Sequence, residues 1–219
     1  MTLFVKIFGE KNLESNPGIH DLVREVVDEC AGLPLALRVI ARTMAAKKTI
    51  PEWEEAIRAL KRSQPNKILD GDDMLPTLKF SYDSLKSEDL RRCFLYCSLW
   101  PEDYNISELD LIAFCIETDL IKDFDSMSEA YDKGHCLIEE LKKACLLEDD
   151  SECFHVKMHD VMRDLALWIA SDCGVNQNNW LVKSGIGLRE APAETGKWKE
   201  AQVISLMDNE IEELSYVPF

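Results

Sequence analysis

A chain of 219 residues can hold one or two domains with buried cores, and 46% hydrophobic with 30% charged residues is a globular rather than a disordered composition. The net charge of −16 opposes general attraction to nucleic acid or anionic lipid, which needs clustered Lys and Arg. No apolar run is long enough to span a membrane, and the N-terminus lacks a signal-peptide pattern. Eight cysteines without a Cys-x-x-Cys pair are expected to be free thiols in a reducing, cytoplasmic setting.

In chain order, Ile19, Leu22, Val23, Val26, Val27 and Cys30 repeat at helical spacing and predict an amphipathic helix. Gly32 stops it, and Pro34 stands where the next helix begins, its fixed φ and missing N–H costing little in a first turn. That second helix, through Leu35, Ala36, Val39, Ile40, Thr43 and Met44, is nearly apolar all round at its start and is expected at the centre of a small bundle. Thr49-Ile50-Pro51-Glu52 reads as a capping box opening a third helix with Trp53, Ile57 and Leu60 inward. Ser63–Asp73 is polar, contains Pro65 and Gly71, and is the expected boundary between compact units.

Helical spacing returns over Met74–Leu85, and Ser87 with Glu88 and Asp89 opens a helix that turns Leu90, Cys93, Phe94 and Cys97 inward. Cys93 and Cys97, one turn apart on that apolar face, read as core rather than redox residues. Ser107–Ile116 and Met127–Ala144 predict two more helices, the second behind a Ser126-x-x-Glu129 capping box. Leu146–Glu148, an acidic turn and Cys153–Met158 then read as a hairpin. The alternation over Cys153–Met158 sets Phe154, Val156 and Met158 on one side and Cys153, His155 and Lys157 on the other. Val161, Met162, Leu165, Ala166, Trp168 and Ile169 change the period to that of a helix, so His159 and Asp160 sit at a strand-to-helix junction. Such a junction offers unpaired N–H groups and a partial positive charge, suited to phosphate or carboxylate. Helices, a hairpin and one more helix make the order of a winged-helix-like unit. After a turn-rich stretch from Ser171, Val203–Leu214 matches a leucine-rich-repeat unit, with Leu206, Asn209, Ile211 and Leu214 in place.

Gly32-Leu33-Pro34-Leu35-Ala36-Leu37, Lys79–Leu85, Cys93–Tyr104, Ala144–Leu147 and Met158-His159-Asp160 together resemble the GLPLAL, CFLYCSLFPED and MHD series of plant intracellular immune receptors. These join a nucleotide-binding NB-ARC module to leucine-rich repeats, and the nearest match is the coiled-coil class of disease resistance proteins. The resemblance runs from about Leu3 to Leu214. It implies a mainly α architecture: an ARC helical subdomain (1–66), a winged-helix subdomain with a β-hairpin (67–172), and a linker with the first leucine-rich repeat (173–219). No Gly-x-x-x-x-Gly-Lys-Ser/Thr phosphate loop occurs, so the chain is expected to be a fragment that does not hydrolyse ATP by itself.

The resemblance further implies an ADP/ATP-dependent conformational switch in defence, with magnesium held by a separate nucleotide-binding domain. Pro34 and Leu35 would contact the nucleotide, His159 its β-phosphate, and Met158, His159 and Asp160 would form the regulatory switch. Partners would be the receptor's own nucleotide-binding and repeat domains, a pathogen effector or guarded host protein, and further copies on activation. Its location would be cytoplasmic, or peripheral at the plasma membrane. Read locally, Pro34 is a helix-start proline and His159 a junction histidine bonded to backbone. Two other functions stay open: a nucleotide-independent scaffold, and a winged-helix DNA reader, which the acidic Met127–Ala144 face disfavours. Cys153, His155 and His159 do not make a zinc set, because zinc wants four ligands and His159 belongs to the helix start. His20 and His135 have no evident partner in the sequence.

Overall fold

The computed structural model describes residues 1–9, 13, 17–62, 74–150, 153–176, 179–192 and 195–214. The stretch expected to part the compact units, residues 63–73, lies outside them. The chain divides into two compact units. One runs from Met1 to Ser87 and includes Lys143–Cys145; the other takes Glu88–Lys142 and resumes at Leu146.

The first unit contains α1 (Thr2–Phe8), α2 (His20–Glu29), α3 (Pro34–Ala45), α4 (Ile50–Arg62) and α5 (Leu75–Asp83). Helix α3 buries Ala36, Val39, Ile40 and Met44 of the predicted series together with Leu37 and Ala41, while Leu35 and Thr43 are half-buried. It packs on α1 and α5, while α2 packs on α4. Thr43 of α3 donates to Ser81 Oγ of α5 at 3.0 Å. Helix α1 is not anticipated by any apolar stripe. Its Phe4 and Phe8, one turn apart, are both buried, and Phe8 meets Trp53 of α4 edge-on with ring centroids 5.3 Å apart. The capping box forms as expected: Glu52 Oε2 accepts from Thr49 N–H at 2.8 Å, and Glu52 N–H donates to Thr49 Oγ1 at 3.4 Å. Backbone N–H groups of Lys48 and Thr49 hold the Glu52 carboxyl below the ordinary glutamate range.

The second unit contains α6 (Glu88–Cys97), β1 (Ile106–Ser107), α7 (Glu108–Glu117), α8 (Met127–Lys143), β2 (Glu148–Asp149), β3 (His155–Lys157) and α9 (Asp160–Ala170). Ser107 caps α7 by accepting from Asp110 N–H at 3.3 Å, and Ser126 Oγ accepts from Glu129 N–H at 3.2 Å ahead of α8. The expected hairpin is β2–β3. A third strand, β1, joins it on the other side, giving an antiparallel sheet of order β1-β3-β2 with Ile106 opposite Val156 and Glu148 opposite Lys157. Cys93 and Cys97 lie in the core, as their spacing predicts. The Cys115 thiol is pushed up by its hydrogen bond with Cys93 and by burial, which keeps it an unreactive core group.

One part of the alternation fails. The strand is only His155–Lys157, and Phe154 occupies the turn before it with φ +62 and 69% exposure, whereas Val156 and Met158 are buried as expected. Phe154 adopts a left-handed backbone conformation, which takes it out of the extended series. A bulky side chain there is strained by roughly 1–2 kcal/mol. Phe154→Gly is therefore expected to raise stability by about 0.5 kcal/mol, once the larger entropy of unfolded glycine is deducted. A lower denaturation midpoint would show that the exposed ring contributes packing.

Beyond α9, β4 (Trp180–Val182), a short helix α10 (Thr195–Glu200) and β5 (Val203–Ser205) follow. The two strands pair in parallel, Trp180 with Val203 and Val182 with Ser205. Asn209 ties the turn after β5. Its Nδ2 donates to Lys183 O at 2.7 Å and Leu206 O at 2.9 Å, while its Oδ1 accepts from Leu188 N–H at 2.9 Å.

Candidate functional site

Pro34 lies in the first unit, at the first helical position of α3. Leu33 before it is extended, with φ −70 and ψ 120, and its carbonyl accepts from Leu37 N–H at 3.0 Å. The turn leading in passes through Ala31 and Gly32, both at positive φ, and no atom approaches within 4 Å of where a Gly32 Cβ would stand. Gly32 is thus demanded by conformation and not by crowding. Pro34 is exposed and Leu35 half-buried, while Ala36 and Leu37 turn into the core. One helix end therefore presents a rigid apolar lip on a buried base.

Met158, His159 and Asp160 lie in the second unit, where β3 gives way to α9. Met158 is buried and anchors the junction. His159 is the N-cap of α9, extended at φ −60 and ψ 141, and its carbonyl accepts from Met162 N–H at 2.7 Å and Arg163 N–H at 3.0 Å. Its ring also caps the helix: Nδ1 accepts from Val161 N–H at 3.3 Å. An accepting Nδ1 places the imidazole hydrogen on Nε2. The ring is 42% exposed, so it presents an N–H donor at the positive end of a helix dipole. Asp160 Oδ1 stands 4.0 Å from Nδ1 and is also exposed, in the first-turn position that favours a carboxylate. The local reading of His159 as a backbone-bonded junction residue holds, through its carbonyl and Nδ1.

A second constellation was not evident in the sequence. Glu108, at the start of α7, is buried. Its Oε2 lies 3.1 Å from His135 Nδ1 and its Oε1 3.7 Å from Lys142 Nζ, both on α8. His135 does have a partner, twenty-seven positions away, where no local spacing would find it. Lys142 also pairs with Glu139 and with Asp149 of β2, each at 2.5 Å. Burial opposes the lysine's charge, but hydrogen bonds to Asp149 and Glu139 more than offset it and raise its pKa well above the usual lysine range. Lys133 is engaged likewise, with Glu129 at 2.9 Å and Asp123 O at 2.7 Å.

Residues 99–166 match the family described as the winged helix domain of disease resistance proteins. Over 216 residues, 99% of this chain, it is 45% identical to the probable disease resistance protein At5g63020 of Arabidopsis thaliana. It is also 44% identical over 217 residues to disease resistance protein SUMM2 and 43% identical over 213 residues to disease resistance protein RPS5, both from the same plant. The chain spans about a quarter of the length of these curated relatives, 24% of each.

Proposed function

We propose that this chain, which belongs to the disease resistance proteins, is the part of a plant immune receptor that senses ADP or ATP and converts nucleotide state into conformation. The observation that carries the reading is the division of labour in His159: Nδ1 caps α9, and Nε2–H remains to donate to a phosphate at the helix's positive end. Pro34 and Leu35 supply an apolar contact for the nucleotide, Met158 anchors the junction, and Asp160 biases the resting arrangement. ADP held in this way has higher affinity for the resting state, so its exchange for ATP shifts the population towards the signalling state. The β4–β5 pair, offset by 23 positions and tied by Asn209, supports a leucine-rich-repeat start, a unit that needs stacked neighbours to bury its core.

In this reading the receptor's nucleotide-binding domain supplies the phosphate loop and magnesium, and the 219-residue segment supplies no catalytic group. An effector or guarded host protein triggers exchange, and copies of the receptor then assemble. A DNA-reading role is not favoured, because Lys133 and Lys142 of α8 are already engaged by acidic and carbonyl groups. No helix among the described residues is long and apolar enough to cross a membrane.

The test separates capping from phosphate contact. His159→Asn keeps an N-cap acceptor but lacks the reach and the ring donor. In a full-length receptor carrying this segment, both His159→Asn and His159→Ala are expected to lower co-purified ADP retention about tenfold, the scale of one charge-assisted hydrogen bond. Both should raise effector-independent signalling. Unchanged ADP occupancy by chromatography in both variants would favour the nucleotide-independent scaffold.

A further inference from the structure

Helix α9 and the strands β4 and β5 meet on one short piece of backbone, Leu99–Pro101, just beyond α6. Ser205 Oγ of β5 donates to Leu99 O at 2.6 Å, and Arg163 Nε of α9 donates to Trp100 O at 2.9 Å. Gly185, after β4, sits so close to the third residue that a Cβ would fall 2.6 Å from Pro101 Cβ. Tyr96 of α6 stacks on Trp180 of β4 with ring centroids 6.2 Å apart. Arg163 then links α9 directly to the strand unit, its Nη2 donating to Ser184 Oγ at 3.1 Å. Ser184 and Ser205 are both buried, although serine gains little from burial unless its hydroxyl is used.

We infer that Arg163 is a positioning residue that couples the helix headed by His159 to the parallel β4–β5 unit, so that α9 cannot shift without loosening the strand ladder beside Ser184. Three structural features support it. A guanidinium is a rigid fork, and here its two nitrogens reach acceptors on two separate elements. The group is half-buried, and burial lowers its pKa while Glu102 and Asp164 oppose that, so a lost acceptor would leave a partly desolvated charge short of partners. The amides on either side of Ser184 carry the pairing on just past the strand ends: Lys183 N–H donates to Ser205 O at 2.8 Å and Gly185 N–H to Met207 O at 2.9 Å. The bond from Arg163 therefore meets the chain between two backbone bonds that extend the β4–β5 pairing. The inference concerns this chain's own mechanics and does not depend on nucleotide binding.

Amide hydrogen exchange on the 219-residue chain tests it. Lys183 and Gly185 are followed by NMR in the parent, in Arg163→Gln, in Ser184→Ala, in the double variant, and in Glu117→Gln, an exposed position at the end of α7, as a control. Each single variant is expected to speed exchange at those two amides about tenfold, with the double variant no faster than the faster single one. Glu117→Gln should leave both amides at parent rates, and the amides of α8 should stay at parent rates throughout. Unchanged exchange at Lys183 and Gly185, or effects that multiply in the double variant, would overturn the coupling. A uniform rise throughout the unit would equally overturn it, by showing that Arg163 acts through general stability. Should Arg163→Gln fail to fold, Arg163→Lys takes its place, because it keeps the charge and removes the fork.

Discussion

Replacing Gly134 with alanine is expected to destabilise the protein by about 2 kcal/mol, although alanine is the better helix former by about 1 kcal/mol. Gly134 sits within α8, facing α7. A Cβ there would stand 2.5, 2.7 and 2.9 Å from Cγ1, Cγ2 and Cδ1 of Ile112. Ile112 is fully buried and β-branched, so its χ1 has few alternatives and the collision cannot be relieved by swinging a flexible tip. Either α8 backs away from α7 along its length, or Ile112 leaves its rotamer. Overpacking of this kind costs roughly 3 kcal/mol at the upper end of its usual range, and the propensity gain offsets only a third of it. Denaturant unfolding measures the difference, and pairing the change with Ile112→Val, which removes Cδ1, should recover part of the loss. A Gly134→Ala variant more stable than the parent would mean that the helices separate without cost.

Lys142→Met is expected to cost a similar amount, about 2 kcal/mol, from removing a charged hydrogen-bond partner beside a nearly buried carboxylate. Lys142 joins three acidic groups on separate parts of the winged-helix unit: Glu108 opening α7, Glu139 one turn back on α8, and Asp149 on β2. Methionine keeps most of the stem's packing, so the loss reports the charge. Glu139 and Asp149 are exposed and water can solvate them again, whereas Glu108 stays buried and keeps His135 as its partner. Raising salt should therefore shrink part of the difference between parent and variant and leave a residue due to Glu108. A difference that vanishes at 1 M salt would place the whole effect on the surface pairs.

The parts of this fold that were legible in the sequence are those whose causes are local. The stripe of α3, the capping boxes at Thr49 and Ser126, the Gly32 stop and the strand-to-helix change at His159 each depend on neighbours within a turn or two. What was not legible depends on distant partners. Helix α1 has no stripe of its own and is fixed by Phe8 meeting Trp53. Strand β1 is two residues long and exists because β3 lies beside it. Phe154 alternates correctly on paper, but its left-handed backbone takes it out of the series. At the candidate site, the motif residues were found by resemblance, whereas Arg163, His135 and Lys142 carry contacts that span the unit and leave no pattern in the linear order.

The β1–β3 pairing sets an entropic condition on the sheet. Ile106 faces Val156, so forming that contact closes a loop on the order of 50 residues, a cost of about 3–4 kcal/mol for a flexible chain. Two residues of ladder return only about 1 kcal/mol per hydrogen bond, too little to close the loop alone. Two things make up the difference. Helices α7 and α8 occupy most of the intervening chain and shorten what is free to fluctuate, and Ile106 and Val156 are both removed from water. The small sheet is therefore held by the helices and core that enclose it more than by its own hydrogen bonds, and a loss of helix packing such as that at Gly134 should reach the strands before any strand residue is touched.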